Sequence, residues 1–171
     1  MSAPAAPGQP VLTYRPLGPA DAPRLHEIGS DWAVVRQLGG WPWPPDRAFT
    51  ESRSKPYEGG EGFVWGVFEG GRLVGSVGVT RREIGYMFDL ADRGRGIARA
   101  AVDAAIGFAF ASWDWPEIRA TTWADNPASA RVLARAGFVH WSTRYERSKA
   151  RRLPVLLHRH RLTRARWEAG R

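Results

Sequence analysis

Cysteine is absent from this chain of 171 residues. Its absence excludes disulfide bonds and catalysis by a thiol, and it suits the cytoplasm, where disulfides are rare. Long apolar runs are also missing, since none approaches the roughly 20 residues that a membrane-spanning helix needs. Residues 1–10 are rich in alanine, proline and glycine and have neither a charged start nor an apolar stretch. We therefore expect a disordered N-terminal lead over residues 1–10, no signal peptide, no membrane contact and a cytoplasmic location.

The composition predicts one globular domain after this lead. The chain is 43% hydrophobic and holds nine tryptophans and seven phenylalanines, which is enough to build a core. A length of 171 residues fits a single domain, which we place at residues 11–168.

Positive charge is concentrated at one end of the sequence. The net charge is +8, yet residues 1–143 hold 15 basic and 15 acidic side chains, whereas residues 144–171 hold 10 basic and 2 acidic ones. This excess is either a solvated basic face or a surface that contacts something acidic, such as RNA, the ribosome or an anionic acceptor. Helix-turn-helix, RNA-recognition and zinc-finger signatures are missing, which disfavours nucleic acid as the main ligand.

The spacing of apolar residues predicts alternating strands and helices. The expected order is β-α-α-β-β-β-α-β-α-β-β, in which a mostly antiparallel front half leads into a β-α-β crossover. The predicted strands cover residues 11–17, 63–69, 72–80, 83–90, 118–123, 138–145 and 155–163. The predicted helices cover residues 20–32, 46–52, 97–112 and 126–136.

A glycine-rich turn joins the fourth predicted strand to the third predicted helix. The N–H groups of such a turn point one way and, with the positive end of the helix dipole, favour phosphate oxygens. Arg93 and Arg95 add fork-shaped donors beside Gly94 and Gly96. A Walker loop is excluded because no lysine lies nearby, and a dinucleotide fingerprint is excluded because Arg99 stands where its third glycine belongs. The turn is either a diphosphate site or a plain arginine-rich helix start.

The turn fits one further pattern, Gln or Arg followed by x-x-Gly-x-Gly/Ala. Arg93, Gly96 and Ala98 occupy its defined positions. In this respect the turn resembles the coenzyme A pyrophosphate loop of the GNAT superfamily of N-acetyltransferases.

Several other segments resemble the GNAT branch that includes ribosomal-protein N-terminal acetyltransferases, the Rim type. Residues 12–22 resemble its opening and residues 83–86 its fourth strand. Residues 126–138 resemble its block of Asn-x-x-Ser followed by Leu-x-x-x-Gly-Phe, and residues 162–167 its closing Leu-Thr-x-x-x-Trp. The segments occur in the family's order, so the resemblance extends over residues 12–167.

The resemblance implies the GNAT acyl-CoA N-acyltransferase fold. This is an α/β (α+β) fold with a mixed, mostly antiparallel sheet, splayed central strands and flanking helices. It also implies acetyl-CoA as cosubstrate and no metal. The pyrophosphate would be held by Arg93, Gly94, Arg95, Gly96, Ile97 and Ala98.

Between the splayed strands, the resemblance implies a site for the pantetheine arm of the cosubstrate. Phe88 and Leu90 would pair with the arm through their backbone, and Asn126 would reach its amides. Alternatively, Phe88 and Leu90 are core residues and Asn126 only caps a helix.

The resemblance also implies the catalytic groups. Glu83 is the first candidate for the base that accepts the amine proton, acting through water; Asp89 is the second and Glu146 the third. Many family members carry a tyrosine that protonates the leaving thiolate, but residues 134–136 contain none, so Ser129 is the candidate donor. Alternatively, Glu83 is a surface charge at a strand end and Ser129 bonds only the helix backbone.

The attacking amine must be neutral, which favours an acceptor of low basicity. An α-amine with a pKa of about 8 is deprotonated more readily at pH 7 than a lysine with a pKa of about 10.4. A peptide N-terminus or a weakly basic small amine is therefore the expected acceptor. A basic rim disfavours polyamines and aminoglycosides. The non-enzymatic alternative is a GNAT-fold protein that binds RNA or the ribosome with little catalysis.

The last expectations concern a loop with two tryptophans, a pair of histidines and the oligomeric state. The loop with Trp41 and Trp43 would flank the acceptor entrance, although its rings would equally serve to cover the core. His158 and His160 share a strand face, but two ligands without a third make a poor metal site. The sequence leaves open whether the protein is a monomer or a homodimer.

Overall fold

The structure is a computed structural model that describes residues 10–170. The predicted disordered lead falls on residues 1–10, of which residues 1–9 lie outside the described residues. From Leu12 onward the chain forms a seven-stranded sheet with helices on both faces.

The sheet has the strand order β1-β2-β3-β4-β5-β7-β6. All neighbouring strands are antiparallel except β4 and β5, which are parallel. The strands are β1 (Leu12–Arg15), β2 (Gly62–Glu69), β3 (Arg72–Thr80), β4 (Glu83–Phe88), β5 (Glu117–Trp123), β6 (Val139–Arg147) and β7 (Pro154–Thr163). The helices are α1 (Ala22–Ile28), α2 (Trp32–Val35), α3 (Arg47–Arg53), α4 (Ile97–Ser112), α5 (Pro127–Arg135) and α6 (Arg164–Ala169). The predicted mixed α/β fold is confirmed.

Two apolar clusters lie on opposite faces of the sheet. The larger joins the sheet to α4 and α5, whereas the smaller lies under α1 and α2. Side chains alternate along β4, so that Ile84 enters the larger cluster and Met87 the smaller one. The alternation of the strand therefore decides which face each residue of β4 can serve.

The parallel strands β4 and β5 separate almost at once. Their register consists of one pair, Glu83 with Arg119, beside which the Arg119 N–H donates to the Arg82 carbonyl at 2.7 Å. By contrast, β4 pairs with β3 from Glu83 to Phe88. A cleft therefore opens between β4 and β5 toward their C-terminal ends, which confirms the predicted splay of the central strands.

Three details of the fold differ from the sequence prediction. The predicted strand 83–90 ends at Phe88, because the Asp89 carboxylate accepts from the Ala91 N–H at 3.0 Å and begins a 3₁₀ turn that includes Leu90. The predicted helix 20–32 is two helices, because Asp31 caps α2 by accepting from the Ala33 N–H. Helix α6 was not predicted.

Candidate active site

The glycine-rich turn before α4 presents its backbone to open space. Gly94 and Gly96 both have φ of +78°, and a Cβ added at either would meet nothing within 4 Å. Gly96 is the N-cap of α4 and accepts from the Ala100 N–H at 3.0 Å, so the amides of Ile97 and Ala98 precede the first helical hydrogen bond. This arrangement fits a phosphate group, because donors, helix dipole and free volume coincide.

The two arginines of the turn differ in their contacts. The Arg95 guanidinium binds Glu69 at 2.7 Å and the buried Asp92 at 2.8 Å. Arg72 also binds Asp92, at 2.7 Å. Arg93 is exposed and makes no ion pair within residues 10–170. The Arg95 side chain thus fixes the turn against β2, whereas Arg93 has a guanidinium available to an anion.

Backbone groups of β4 face the cleft. The Asp89 N–H donates to the Val74 carbonyl of β3 at 3.0 Å, whereas the Arg82 carbonyl accepts from β5. Because successive residues direct their backbone groups to opposite sides of a strand, the even-numbered residues of β4 direct theirs toward β5. Tyr86 and Phe88 follow the only β4–β5 register pair of the described residues, so their amides line the cleft.

The opposite wall of the cleft belongs to β5. Ala124 donates to the Leu156 carbonyl at 2.9 Å on the β7 side. By the same alternation, Thr121 and Trp123 direct their backbone groups toward β4. The sequence analysis did not include these two residues in the site, because nothing in their local sequence shows which strand edge remains open.

Tyr86 reaches across the cleft to α5. Its hydroxyl lies 2.7 Å from the Ser129 Oγ. Burial raises the pKa of Tyr86 to about 12, although the hydrogen bond with Ser129 acts in the opposite direction. The phenol therefore stays protonated at neutral pH and can donate to Ser129. The sequence analysis placed Ser129 in the site but missed Tyr86.

Asn126 lies at the start of α5 and caps it. Its Oδ1 accepts from the Ser129 N–H at 3.1 Å. The cap fixes the amide plane of Asn126 and holds Ser129 in the first helical turn. The Nδ2 of Asn126 is then the group that could donate to a pantetheine carbonyl.

Glu83 is exposed at the start of β4, on the face opposite α4. The Thr121 hydroxyl donates to its Oε1 at 3.4 Å. Glu83 and Glu146 both line a cavity of about 260 Å³ on this face. Two of the three candidate bases thus lie at one cavity.

Asp89, the second candidate base, is engaged in structural contacts. It binds Arg24 and lies 3.8 Å from Arg72. Burial would raise the pKa of Asp89, but the Ala91 N–H and Arg24 outweigh it and lower that pKa below its usual value. A carboxylate held in this way is a weak proton acceptor.

A larger cavity of about 530 Å³ lies beside the smaller one on the same face. Its floor contains Ser76, Gly78 and Gly85. Serine has a small side chain and glycine has none, so space is left above β3 and β4. Trp41 lines this cavity, whereas Trp43 packs against Trp32 with ring centroids 5.0 Å apart. The two cavities share Gly39.

The basic segment between β6 and β7 is largely engaged in contacts within the protein. Arg151 has a side chain only 10% exposed and binds both carboxylate oxygens of Asp125, at 2.8 and 2.9 Å. It also donates to Gln37 at 3.1 Å, and Arg152 donates to the Trp43 carbonyl at 3.0 Å. These arginines connect the segment to the loop after α2.

The histidines of β7 form hydrogen bonds to neighbouring strands. His160 lies 3.0 Å from the Thr122 hydroxyl, and His158 lies 2.8 Å from the Thr143 hydroxyl. Burial lowers the pKa of His160, and the nearby His140 and His158 lower it further. Within residues 10–170 no group of three or more His, Cys, Asp or Glu side chains could hold a metal ion.

Comparison with known proteins agrees with this geometry. Residues 12–139 match the family model described as the acetyltransferase (GNAT) domain. This match extends over most of the chain, so the protein belongs to the GNAT acetyltransferase family. Its class of activity is N-acetyltransferase, an acyltransferase.

Solved structures show the same fold at low sequence identity. Spermidine N-acetyltransferase from Vibrio cholerae, in complex with CoA and spermine, is 17% identical with a TM-score of 0.79 over 92% of this chain and 98% of that one. RimL, a ribosomal L7/L12 alpha-N-protein acetyltransferase in complex with CoA, is 17% identical with a TM-score of 0.77 over 92% and 96%. AAC(6')-Ib, in complex with ribostamycin and CoA, is 17% identical with a TM-score of 0.76 over 94% and 97%.

Two further searches gave negative results. No curated protein matches the chain in sequence. Among the described residues, no helix has the length and apolar character that crossing a membrane requires.

Proposed function

We propose that the protein is an acetyl-CoA-dependent N-acetyltransferase of the Rim-type branch whose acceptor is the N-terminal amine of a peptide. The observation that carries the proposal is the β4–β5 cleft. It has the phosphate-binding turn beyond its open end, the Tyr86–Ser129 pair at its side and Glu83 at its closed end. The cytoplasm is the location we propose for this activity.

Acetyl-CoA supplies an activated acetyl thioester, and the residues around the cleft suit its binding. The open backbone groups of Phe88 and the N–H of Leu90 would pair with the pantetheine arm, and the side-chain amide of Asn126 would donate to it. The pyrophosphate would lie on the turn formed by residues 93–98. Of these residues, Leu90 has a carbonyl that already accepts from the Arg93 N–H at 3.2 Å, so its N–H is the group left for pairing.

The proton transfers are assigned to groups on the two sides of the cleft. Glu83 accepts a proton from the amine through a water molecule, and the neutral nitrogen attacks the thioester carbon. The new C–N bond forms as the C–S bond breaks. Ser129 donates a hydrogen bond to the leaving sulfur, while Tyr86 supports the Ser129 hydroxyl through their hydrogen bond. The nitrogen releases one proton to solvent as the amide forms, which balances the proton that the thiolate takes up.

The choice of acceptor rests on the cavities opposite α4. The larger cavity, about 530 Å³, can take an extended peptide end or one small molecule. Arg53 and Lys55 lie in its wall with one acidic side chain, Glu58, and this cationic excess disfavours polyamines and aminoglycosides. A small neutral or anionic amine is the second candidate acceptor, because the same volume would hold it.

Glu83→Gln tests the catalytic assignment. We expect the variant to lower kcat/KM by about 100-fold, a loss typical of a missing general base, and to leave the Kd for acetyl-CoA unchanged. The measurement is release of CoA thiol with a panel of peptides and small amines across pH, together with calorimetry of acetyl-CoA binding.

Glu146→Gln is the matched control, since Glu146 lines the same cavity. With an acceptor that carries no carboxylate near its amine, its kcat/KM should stay within about twofold of wild type, as expected for a charge outside the reaction. A greater loss in Glu146→Gln than in Glu83→Gln would transfer the role of base to Glu146. Absence of acetyl-CoA binding by the wild type would refute the proposed function as a whole.

A further inference from the structure

The smaller cavity beside Glu83 has one more basic than acidic side chain in its lining. Its wall includes Arg144, Arg147 and Arg159 against Glu83 and Glu146. Arg144 binds Glu146 at 2.6 Å, so these two charges offset each other. Arg147 and Arg159 make no ion pair within the described part of the chain, residues 10–170.

The position of Arg159 is fixed by the sheet. Arg159 lies opposite Thr121 in the β5–β7 register, and Thr121 in turn bonds Glu83. The Arg159 guanidinium also stacks on the Trp141 ring, 4.3 Å from its centroid. The register partner of Glu83 is Arg119, two residues before Thr121, so Glu83, Thr121 and Arg159 form a diagonal row across three neighbouring strands, on the face that carries the proposed acceptor cavities.

The row sets a distance between the proposed base and the basic groups. Neighbouring strands are about 4.8 Å apart and two residues advance about 7 Å along a strand, so the backbones at Glu83 and Arg159 are separated by at least about 12 Å. Long side chains at both ends shorten the gap between their charged groups. An extended peptide advances about 3.4 Å per residue. An amine at Glu83 would thus place the side chain of the second or third residue near Arg159.

We propose that this cavity is an anion-binding subsite of the acceptor site. Arg159 and Arg147 bind a carboxylate carried by the second or third residue of a peptide whose N-terminal amine faces Glu83. The inference rests on the proposed function and names the substrate class, an amine with a nearby carboxylate. Two arginines without acidic partners would discriminate against a basic residue at those positions.

Two matched pentapeptides test the subsite. Both begin with serine, and one has glutamate at positions two and three where the other has glutamine. With wild-type protein we expect kcat/KM to be about tenfold higher for the acidic peptide, and the preference to shrink at high salt. Arg159→Gln and Arg147→Gln should each reduce the rate with the acidic peptide about fivefold and change the rate with the glutamine peptide less than twofold.

Arg161→Gln is the matched control. Arg161 lies on the same strand and face, 6.0 Å from the same Trp141 ring, but it does not line the cavity. The control should keep the preference for the acidic peptide. Equal rates with both peptides in wild type, or an equal loss in Arg161→Gln and Arg159→Gln, would overturn the subsite.

Free glutamate distinguishes a small acidic amine from a peptide as the source of the carboxylate. If only free glutamate is acetylated, and Arg159→Gln reduces that rate, the subsite stands and the peptide acceptor fails. If neither acceptor reacts, calorimetry of the acidic peptide with CoA present decides the subsite alone. If the acidic peptide binds Arg159→Gln more weakly than it binds wild type and Arg161→Gln, the subsite is supported. Equal binding to all three proteins overturns the subsite.

Discussion

The two faces of the sheet at the β4–β5 cleft are built in different ways. On the α4 face, the proposed site for the cosubstrate comes from residues 86–98, one continuous stretch, and from the start of α5. On the opposite face, the proposed acceptor cavities draw on the loops around residues 37–41 and 55–58 and on strands β2 to β7. The first face uses mainly backbone groups, whereas the second uses mainly side chains.

This difference has a consequence for specificity. A site made of backbone amides tolerates many side-chain changes, because the donors belong to every residue. A site made of side chains from separate segments changes its preference with single substitutions. The family could therefore keep one cosubstrate while its acceptors vary, as the spermidine and ribosomal-protein enzymes of the same fold illustrate.

The largest effect is expected at the turn on the α4 face. Gly96→Glu would place a carboxylate in the space where the phosphates would lie, and like charges in contact are strongly unfavourable. We expect the Kd for acetyl-CoA to rise by at least about 100-fold. Because Gly96 has φ of +78°, the variant should also lose about 1 kcal/mol of stability. Calorimetry and thermal unfolding measure the two effects separately.

Gly60→Glu is the control that distinguishes the effect of backbone strain from the loss of the proposed phosphate site. Gly60 has φ of +88° and open space around it, but it lies outside the turn. This control should match the change in Tm and bind acetyl-CoA like wild type. If Gly96→Glu binds normally, the turn does not hold the phosphates.

The second largest effect is expected at the segment that borders the acceptor face. Arg151→Gln removes two hydrogen bonds to Asp125 and leaves that carboxylate with Arg36, 2.7 Å away. The expected loss is about 2 kcal/mol of unfolding free energy. Arg147→Gln, a few residues earlier in the same basic region, should lose less than about 0.5 kcal/mol. Urea unfolding compares the two, and equal losses would contradict a structural role for Arg151.

The contrast between the two faces also explains how much the sequence could predict. The order of the seven strands and the turn at Gly94 and Gly96 are local patterns, so sequence spacing was sufficient to predict them, whereas it missed α6 and the division of the first helix. The Tyr86–Ser129 contact joins residues 43 positions apart and depends on how β4 and β5 diverge. Local sequence carries no sign of that geometry.

The basic segment is the clearest case in which sequence was insufficient. The charge count leaves two alternatives for residues 144–171, a solvated basic face or a surface that contacts something acidic. The structure shows that Arg151 is committed to Asp125, whereas Arg159 lines a cavity. An arginine can bind an external anion only where no carboxylate of the protein forms an ion pair with it. Which arginines have such a partner depends on contacts between residues far apart in the sequence. The roles of the predicted site residues in binding and catalysis stay predictions.

A smaller effect is expected from Ser129, which lies at the start of α5 on the α4 face. Ser129→Ala should lower kcat about tenfold, a modest loss because a thiolate is a weak base and needs little help to leave. Ser129→Thr keeps the hydroxyl and should recover most of the rate. Single-turnover kinetics measure the chemical step directly. A rate equal to wild type in Ser129→Ala would exclude Ser129 as the donor.

The smallest effect is a pH dependence that Tyr86 gives to stability. Burial raises the pKa of Tyr86 from 10.0 to about 12 in the folded protein. A raised folded pKa stabilises the protein below the unfolded value, and this contribution is lost as pH rises from about 10 to about 12. Tyr86→Phe should therefore show a shallower loss of unfolding free energy over that range.

Tyr145→Phe serves as the control for this titration, because Tyr145 is 73% exposed. Urea unfolding at several pH values from 9 to about 12 compares the two variants with wild type. The curve of Tyr145→Phe should run parallel to that of wild type, whereas the difference between Tyr86→Phe and wild type should shrink with rising pH. If the Tyr86→Phe curve is also parallel, the phenol is not buried between β4 and α5, and the link from the cleft to α5 loses its support.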